Sequence, residues 1–467
     1  MPEENPFEPT LDGVPLVVTL DGRSLSSISG RDLDEALFLL SLCHHSPFLD
    51  AVVLGSSGVA HNLPEWYVAE PDPQQDYRLI CQRDTDLALG GVQPWSSRER
   101  RVDDAGLSGL KREWSLYYEA ATWFHQNSDR HLFITADKEV VEKFGAAATG
   151  SSRQVFSVRG ALLLIGLLMR TRDCIYIGRG SEKTSNFNFY FLLSHSLAPA
   201  RIRLHQWHGA RGPADERGDL LDLEQSMAVR VVDLMKAVDG VAFQWLRHQD
   251  NATLDEMLYH LRAAVPTATA LFDSIALFAA GALGVEATEV RSRARISLRD
   301  ATFRRALQAK GGHLVAEASS ECGPLWKMLG ELRNPVIHGS GISGMTYQAL
   351  GTGLGRESRL TLRRNQAEAV LATTRWAGDK PEHWGLEPPE QWSSIRALDP
   401  LLEPYAFSRR FVSLVIRTAD RLVSLLADDL GAPTTDDENT GRETDLVWRL
   451  GLLGGVADDL APTGPFH

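Results

Sequence analysis

The sequence predicts two joined folds: an α/β domain over residues 1–195, with a mostly parallel sheet covered by helices on both faces, and an all-α helical bundle over residues 219–430. Short apolar runs alternating with amphipathic segments predict the first, because strands that recur between helices pair in parallel and bury both faces. Apolar residues at helical spacing from Asp219 onward predict the second. Glycines and prolines gather at Gly178, Gly180, Pro199, Gly209, Gly212, Pro213 and Gly218, which predicts a linker over 196–218.

Composition narrows the classes. The 467 residues suffice for two or three domains with real cores. A hydrophobic fraction of 43% and a charged fraction of 23% are ordinary for a soluble protein. The formal net charge of −13 argues against a broad nonspecific nucleic-acid surface and leaves room for a local basic site. Cys43, Cys81, Cys174 and Cys322 lack CxxC spacing and read as reduced core thiols. The acidic start, Met1-Pro2-Glu3-Glu4, predicts no secretory signal, and the apolar run Leu162–Leu168 is too short for a membrane span. The expectation is a cytoplasmic protein with no membrane partner.

In the first domain, the stretch 14–20 reads as a buried strand ending at Asp21, and Ala51–Leu54 as a second ending in Gly55-Ser56-Ser57. Asp32–Leu42 is helical by its spacing of Leu33, Ala36, Leu37 and Leu40. A helix after the second strand carries Glu65. Prolines and glycines break up residues 66–112, leaving Tyr77–Cys81 as a strand. Glu113–His125 is helical, His131–Thr135 a strand, Lys138–Phe144 helical, Gln154–Val158 strand-like and Gly160–Met169 an apolar helix. Cys174–Ile177 and Phe187–Leu193 are placed as a hairpin.

Parallel α/β sheets do their chemistry beyond the carboxyl ends of the strands. Asp21 and Asp137 stand there, Glu65 follows the second strand, and Glu119 lies on the helix before the strand that ends near Asp137. Four carboxylates in one crevice suit hard divalent cations, which activate water and stabilise the leaving oxygen of a phosphodiester. On Leu20-Asp21-Gly22-Arg23-Ser24-Leu25, Leu54-Gly55-Ser56-Ser57 with Leu63-Pro64-Glu65, and Glu119-Ala120-Ala121 with Ile134-Thr135-Ala136-Asp137, residues 1–195 resemble the PIN family of nucleases. The resemblance implies a PIN-like fold with Mg2+ or Mn2+ held by Asp21, Glu65, Glu119 and Asp137. It departs from the family in having Glu as the third acid, a place Glu113 also suits, and in its long, broken 66–112 region. His205 and His208 form an HxxH with no further ligands at useful spacing, and read as solvated linker residues.

In the second domain, Leu220–Leu246 places Leu223, Met227, Val231, Leu234, Val238, Val241 and Trp245 on one face. Thr253-Leu254-Asp255-Glu256 reads as a capping box opening a helix. Thr267–Leu283 is an almost wholly apolar helix. Ser297–Leu307 and Ser319–Leu332 are amphipathic. Gly339–Gly344 matches GxGxxG but has no strand before it. Ser358–Arg364 alternates like a strand in a basic hairpin. Trp376, Trp384 and Trp392 lie among prolines and suit either covering the bundle or stacking bases. Leu401–Leu430 is a long last helix with Arg409, Arg410, Arg417 and Arg421 along it. Residues 431–467 are expected to form an acidic, partly disordered tail with a short amphipathic helix over Leu446–Leu460.

One stretch of this domain carries chemistry: Glu331-Leu332-Arg333-Asn334-Pro335-Val336-Ile337-His338-Gly339. Asn334-Pro335 reads as an N-cap before a first-turn proline, or else as part of a longer helix kinked at Pro335. A guanidinium forks onto a phosphate, and an imidazole moves protons near neutral pH. Spacing alone is weak, since Arg-x4-His recurs at Arg203 and His208. With Asn334 and the flanking helical patterns, this part resembles the HEPN superfamily, whose signature is Arg-Asn, three residues, His. The resemblance implies metal-independent cleavage of RNA by Arg333, Asn334 and His338, a homodimer with the site between copies, and a stress or defence effector. It leaves open an inactive nucleic-acid or nucleotide-binding regulator, since members of the superfamily also bind without cutting.

Overall fold

The computed structural model describes residues 16–21, 24, 49–55, 79–83, 131–138, 141, 155–171, 175–176, 183–184, 186–210, 218–246, 250–290, 292, 295–338, 342–348, 356–392 and 400–433. The chain divides into two compact units, one of Met1–Thr184 with Ala349–Gly355, the other of Ser185–Gln348 with Arg356–His467.

In the first unit, strands β1 (Leu16–Asp21), β2 (Leu49–Gly55), β3 (Leu79–Arg83), β4 (His131–Ile134) and β5 (Val155–Phe156) form one parallel sheet in the order β3-β2-β1-β4-β5. The chain moves outward from β1 through β2 to β3, then resumes on the other side of β1 with β4. The reversal puts a crevice beyond the carboxyl ends of β1 and β4, where open α/β sheets bind ligands. Apolar Val18, Leu132, Phe133 and Ile134 are fully buried, as central parallel strands require. Helix α1 (Val158–Thr171) packs on β4 and β5 with Leu162, Ile165, Leu167 and Leu168 inward. Two short strands, β6 (Ile175–Tyr176) and β7 (Lys183–Thr184), pair antiparallel.

The expected hairpin therefore closes on β7, and the Phe187–Leu193 segment is instead helical, within α2 (Asn186–Leu197). Its Phe189, Tyr190 and Leu193 are buried, and it packs in the second unit. The boundary at 195 moves back accordingly. Much of the linker expected at 196–218 is a further helix, α3 (Ala200–Gly209). Buried Leu204 and Trp207 hold it, and the Arg203 guanidinium donates to Asp428, Ser424 and two backbone carbonyls. Glycine and proline mark its two ends rather than a loop.

The second unit is built around α4 (Gly218–Leu246) and α5 (Asn251–Leu283), an antiparallel pair, with α10 (Pro404–Asp429) across both. Helices α6 (Ala301–Ala309), α7 (His313–Glu321), α8 (Gly323–His338) and α9 (Arg364–Trp376) complete it. A three-stranded antiparallel sheet, β8 (Ser343–Gln348), β9 (Arg356–Thr361) and β10 (Leu401–Leu402), lies beside them. The two helices read at 253–265 and 267–283 are one, continuing through Pro266. Its cap is Asp250, whose carboxylate accepts from Thr253 N at 2.8 Å while Thr253 Oγ1 accepts from Asp250 N at 2.9 Å. The capping box thus opens one turn earlier than the sequence suggests. This helix is long and apolar enough to cross a membrane by composition, yet most of that stretch is buried against its neighbours.

Helix α10 caps two others. Asp429 accepts from the Leu314 and Val315 amides, serving α7, whose own N-cap is the side-chain-free Gly312. Asp420 accepts from Ala200 N at 2.9 Å at the start of α3. Burial pushes the Asp420 carboxyl up to about 6, against the lowering effect of that amide. Its folded pKa stands above the unfolded value of about 4, so stability is lost as pH rises through this window. Asp420→Asn keeps an oxygen for the amide and removes the buried charge. Thermal melts should show the variant more stable than wild type at about pH 8, on the order of 2 kcal/mol, and nearly equal at about pH 4. The same gain at both pH values would contradict this.

Among the described cysteines, Cys322 is buried and burial pushes its thiol up to about 12, as an inert core thiol should behave. Trp384 is also a core residue: it packs on Phe407 and donates to Asp379. Of the basic hairpin, Arg359 is paired with Glu403 at 3.2 Å. The glycine motif at 339–344 runs from a helix into a strand, the reverse of a phosphate-binding loop. The tail from 434, including the amphipathic stretch at 446–460, lies outside the described residues.

Candidate functional site

The first candidate centre lies at the switch point of the parallel sheet. Asp21 ends β1, and Thr135 follows the end of β4, the paired neighbour. Thr135 Oγ1 donates to Asp21 Oδ2 at 2.8 Å and accepts from Asp137 N at 3.1 Å. Ser24 donates from its amide to Asp21 Oδ1 at 3.4 Å, and its hydroxyl accepts from Ala136 N at 2.8 Å. The Ser24 and Thr135 hydroxyls lie 3.1 Å apart. These bonds tie the ends of the two strands together around the Asp21 carboxylate and the Asp137 amide.

Asp21 is 1% exposed and Asp137 half-buried. The contacts to Ser24 and Thr135 orient the Asp21 carboxylate. A carboxylate fixed by a hydroxyl and an amide, as Asp21 is, is the kind of oxygen ligand a hard divalent cation takes. Of the four acids expected here, the structure brings Asp21 and Asp137 to one edge. Glu65 and Glu119, and with them Glu113, lie outside the described residues. Among the described residues no three carboxylates, histidines or cysteines group as a metal site. The HxxH pair forms none either: His205 instead meets Glu224 at 3.2 Å.

The second candidate centre is the end of α8. The helix runs unbroken from Gly323 to His338 with Pro335 inside it, so Asn334 is a mid-helix residue and not an N-cap. Pro335 lacks the N–H that would bond the Glu331 carbonyl four residues back. The Gln366 side chain supplies the missing donor, its Nε2 reaching Glu331 O at 3.2 Å. The same buried amide accepts from Arg363 N at 2.9 Å, capping α9, while Asn365 donates to the Glu331 carboxylate. Two amides on α9 therefore brace α8 where proline weakens it, and the continuous helix becomes possible.

Bracing sets the directions of the site residues. Arg333 is half-buried, Asn334 exposed, and Ile337 46% exposed, an unusual position for a large apolar side chain. His338 is the last residue of the helix, and its side chain lies outside the described set. On a continuous α-helix Asn334 and His338 stand one above the other, but Arg333 and His338 are about 140° apart around the axis. One copy of the helix thus places residues 333 and 338 on different sides of Asn334. The other Arg-x4-His pair is structural, since Arg203 is committed to α10.

Sequence reasoning missed Ser24, Thr135 and Gln366. The first two sit inside the quoted motifs, one or three residues past a strand end, where an oriented hydroxyl was a reasonable search. Gln366 had no local signal, because its partner carbonyl lies 35 residues away. No family model matches the chain, and neither a curated protein nor a solved structure matches it.

Proposed function

We propose that the chain is an endoribonuclease, a stress or defence effector whose helical unit is HEPN-like and whose α/β unit is PIN-like. The reading rests first on Arg333, Asn334 and His338 at an exposed helix end braced by a second helix. In the helical unit, the 2′-oxygen of RNA attacks the adjacent phosphorus and the 5′-oxygen leaves. The attacking hydroxyl gives up its proton, and the departing oxygen takes one. His338 serves one of these transfers, Arg333 holds the phosphate in its fork, and Asn334 orients the phosphate or the imidazole.

Two transfers call for two groups, and one helix end offers one imidazole. A homodimer joining two copies of α8 supplies the second, and joins the Arg333 of one copy to the His338 of the other. Sedimentation at tens of micromolar protein should show the dimer. Full activity from a strictly monomeric protein would refute it.

The PIN-like reading of the α/β unit rests on the β3-β2-β1-β4-β5 order and on Asp21, Thr135 and Asp137 at its switch point. Asp21 and Asp137, with Glu65 and Glu119, would hold Mg2+ or Mn2+, which supplies Lewis acidity and an activated water. Thr135 and Ser24 keep the Asp21 carboxylate aimed. In EDTA the helical centre alone should work, cutting RNA and sparing DNA, which lacks the 2′-hydroxyl. DNA cut equally fast in EDTA would sink this assignment. The inactive-regulator reading predicts binding with no cleavage in any metal.

A further inference from the structure

Three guanidiniums, that of Arg333 among them, act on one carboxylate, and one of the three pairs with it. The carboxylate is Asp273, on α5. Arg299, in the segment entering α6, brings its Nη2 to 3.9 Å from Asp273 Oδ1. Arg230 on α4 and Arg333 on α8 also favour the charged form of Asp273. Burial acts against all three and is the larger effect, leaving the pKa raised.

The helix packing explains the meeting. Gly240 lies against the His260 ring and Gly281 against Leu220, so α4 runs antiparallel to α5 and Arg230 comes level with Ala270. Helix α8 meets α5 where Trp326 packs edge-on to Phe272, ring centroids 4.8 Å apart. Arg333 stands about two turns past Trp326, and a long helical side chain leans back toward the start of its helix, here toward Asp273. Arg230 Nη1 donates to Ser226 O at 3.1 Å, which lays the guanidinium along α4.

These groups remain at the surface. The Arg299 and Asp273 side chains are 30% and 45% exposed, and Arg230 and Arg333 are half-buried. Asp233 and Lys236, near Arg230 on α4, add one charge of each sign. Three arginines thus act on the single carboxylate of Asp273, in a chain whose total is −13. One arginine suffices to pair one carboxylate. The surplus repels itself in the free protein and is relieved by a bound anion.

Resting on the reading of Arg333 as the phosphate ligand, we propose that Arg230 and Arg299 extend it into a phosphate-binding surface for the RNA nucleotides flanking the cut. Asp273 holds the guanidiniums in place and yields them to the RNA backbone. The contacts are to phosphates and not to base edges, so this surface positions RNA without choosing its sequence.

The test uses the full chain and a fluorescent 2′-O-methyl oligoribonucleotide, which binds but offers no 2′-hydroxyl to react. Binding is followed by anisotropy between about 50 and about 200 mM salt. Arg299→Gln and Arg230→Gln should each weaken binding and lower the slope of log affinity against log salt by about 0.7, the value for one phosphate contact on a single strand. Asp273→Asn should bind about two- to fivefold tighter, since a competing carboxylate is gone. Unchanged melting would assign these effects to the surface and not to folding. Wild-type affinity and slope in both arginine variants would overturn the proposal, even if Arg333→Ala still stops cleavage. Lowered slopes in a protein that never cuts RNA would uphold this surface and discard the nuclease reading.

Discussion

His338→Ala should abolish the EDTA-resistant cleavage of RNA, a loss of about 10²–10⁴-fold, as removing a general acid or base typically produces. The position supports a loss of rate and not of fold. His338 ends α8, and the bonds that brace the helix run from Gln366 and Asn365 to Glu331, about two turns earlier. Arg333→Ala should lose a comparable factor by releasing the phosphate. Its half-buried stem also packs, so a small drop in melting temperature is expected there. Both variants should keep the metal-dependent activity. Single-turnover cleavage of a labelled RNA in EDTA measures the effect, with melting curves in parallel. Wild-type rates in His338→Ala would remove the imidazole from the mechanism. Aggregation of that variant would make it a structural histidine.

Asp137→Asn should remove the metal-dependent activity and leave the EDTA-resistant activity intact. The Asn retains shape, and the Asp137 backbone amide still donates to Thr135, so the strand-end network survives. What goes is one negative oxygen ligand, and carboxylate ligation sets affinity for Mg2+ and Mn2+. Calorimetric titration with Mn2+ should show binding weakened by about 10–100-fold, and cleavage in Mn2+ should fall to the level seen in EDTA. Asp21→Asn is a poorer probe, since Asp21 is 1% exposed and accepts the Thr135 hydroxyl. Cleavage by Asp137→Asn in Mn2+ at the wild-type rate would show that this crevice holds no catalytic metal.

Legibility in the sequence tracked how local the controlling interactions are. The β1, β2 and β4 strands stood out because buried parallel strands need unbroken apolar runs, which Val17-Val18, Val52-Val53 and Leu132-Phe133-Ile134 supply. The sheet order, and with it the meeting of Asp21 and Asp137, is a long-range property that alternation only hinted at. Helices α2 and α3 were misread because Phe187–Leu193 is apolar on all sides and the flanking glycines and prolines suggested loops. A short apolar run does not distinguish a strand from a buried helix. Pro266 separates two helices in the sequence reading but lies inside one, and of the two readings open at Pro335 the continuous helix holds, with Gln366 as the tertiary partner. Of the second centre, the motif was legible in full. The choice between its two helix readings and its neighbour Asp273 were not, since both follow from helices packed far apart in sequence.

The central claim is that the helical unit cleaves RNA through the 2′-hydroxyl, and the chemistry of the cut ends tests it most directly. The full chain would be incubated in EDTA with an RNA labelled at either end, and the new termini identified by mass spectrometry. A 2′,3′-cyclic phosphate, or the monophosphate from its opening, facing a 5′-hydroxyl is the predicted result, with no such product from His338→Ala. A 3′-hydroxyl facing a 5′-phosphate in EDTA, or intact RNA at every protein concentration, would contradict it.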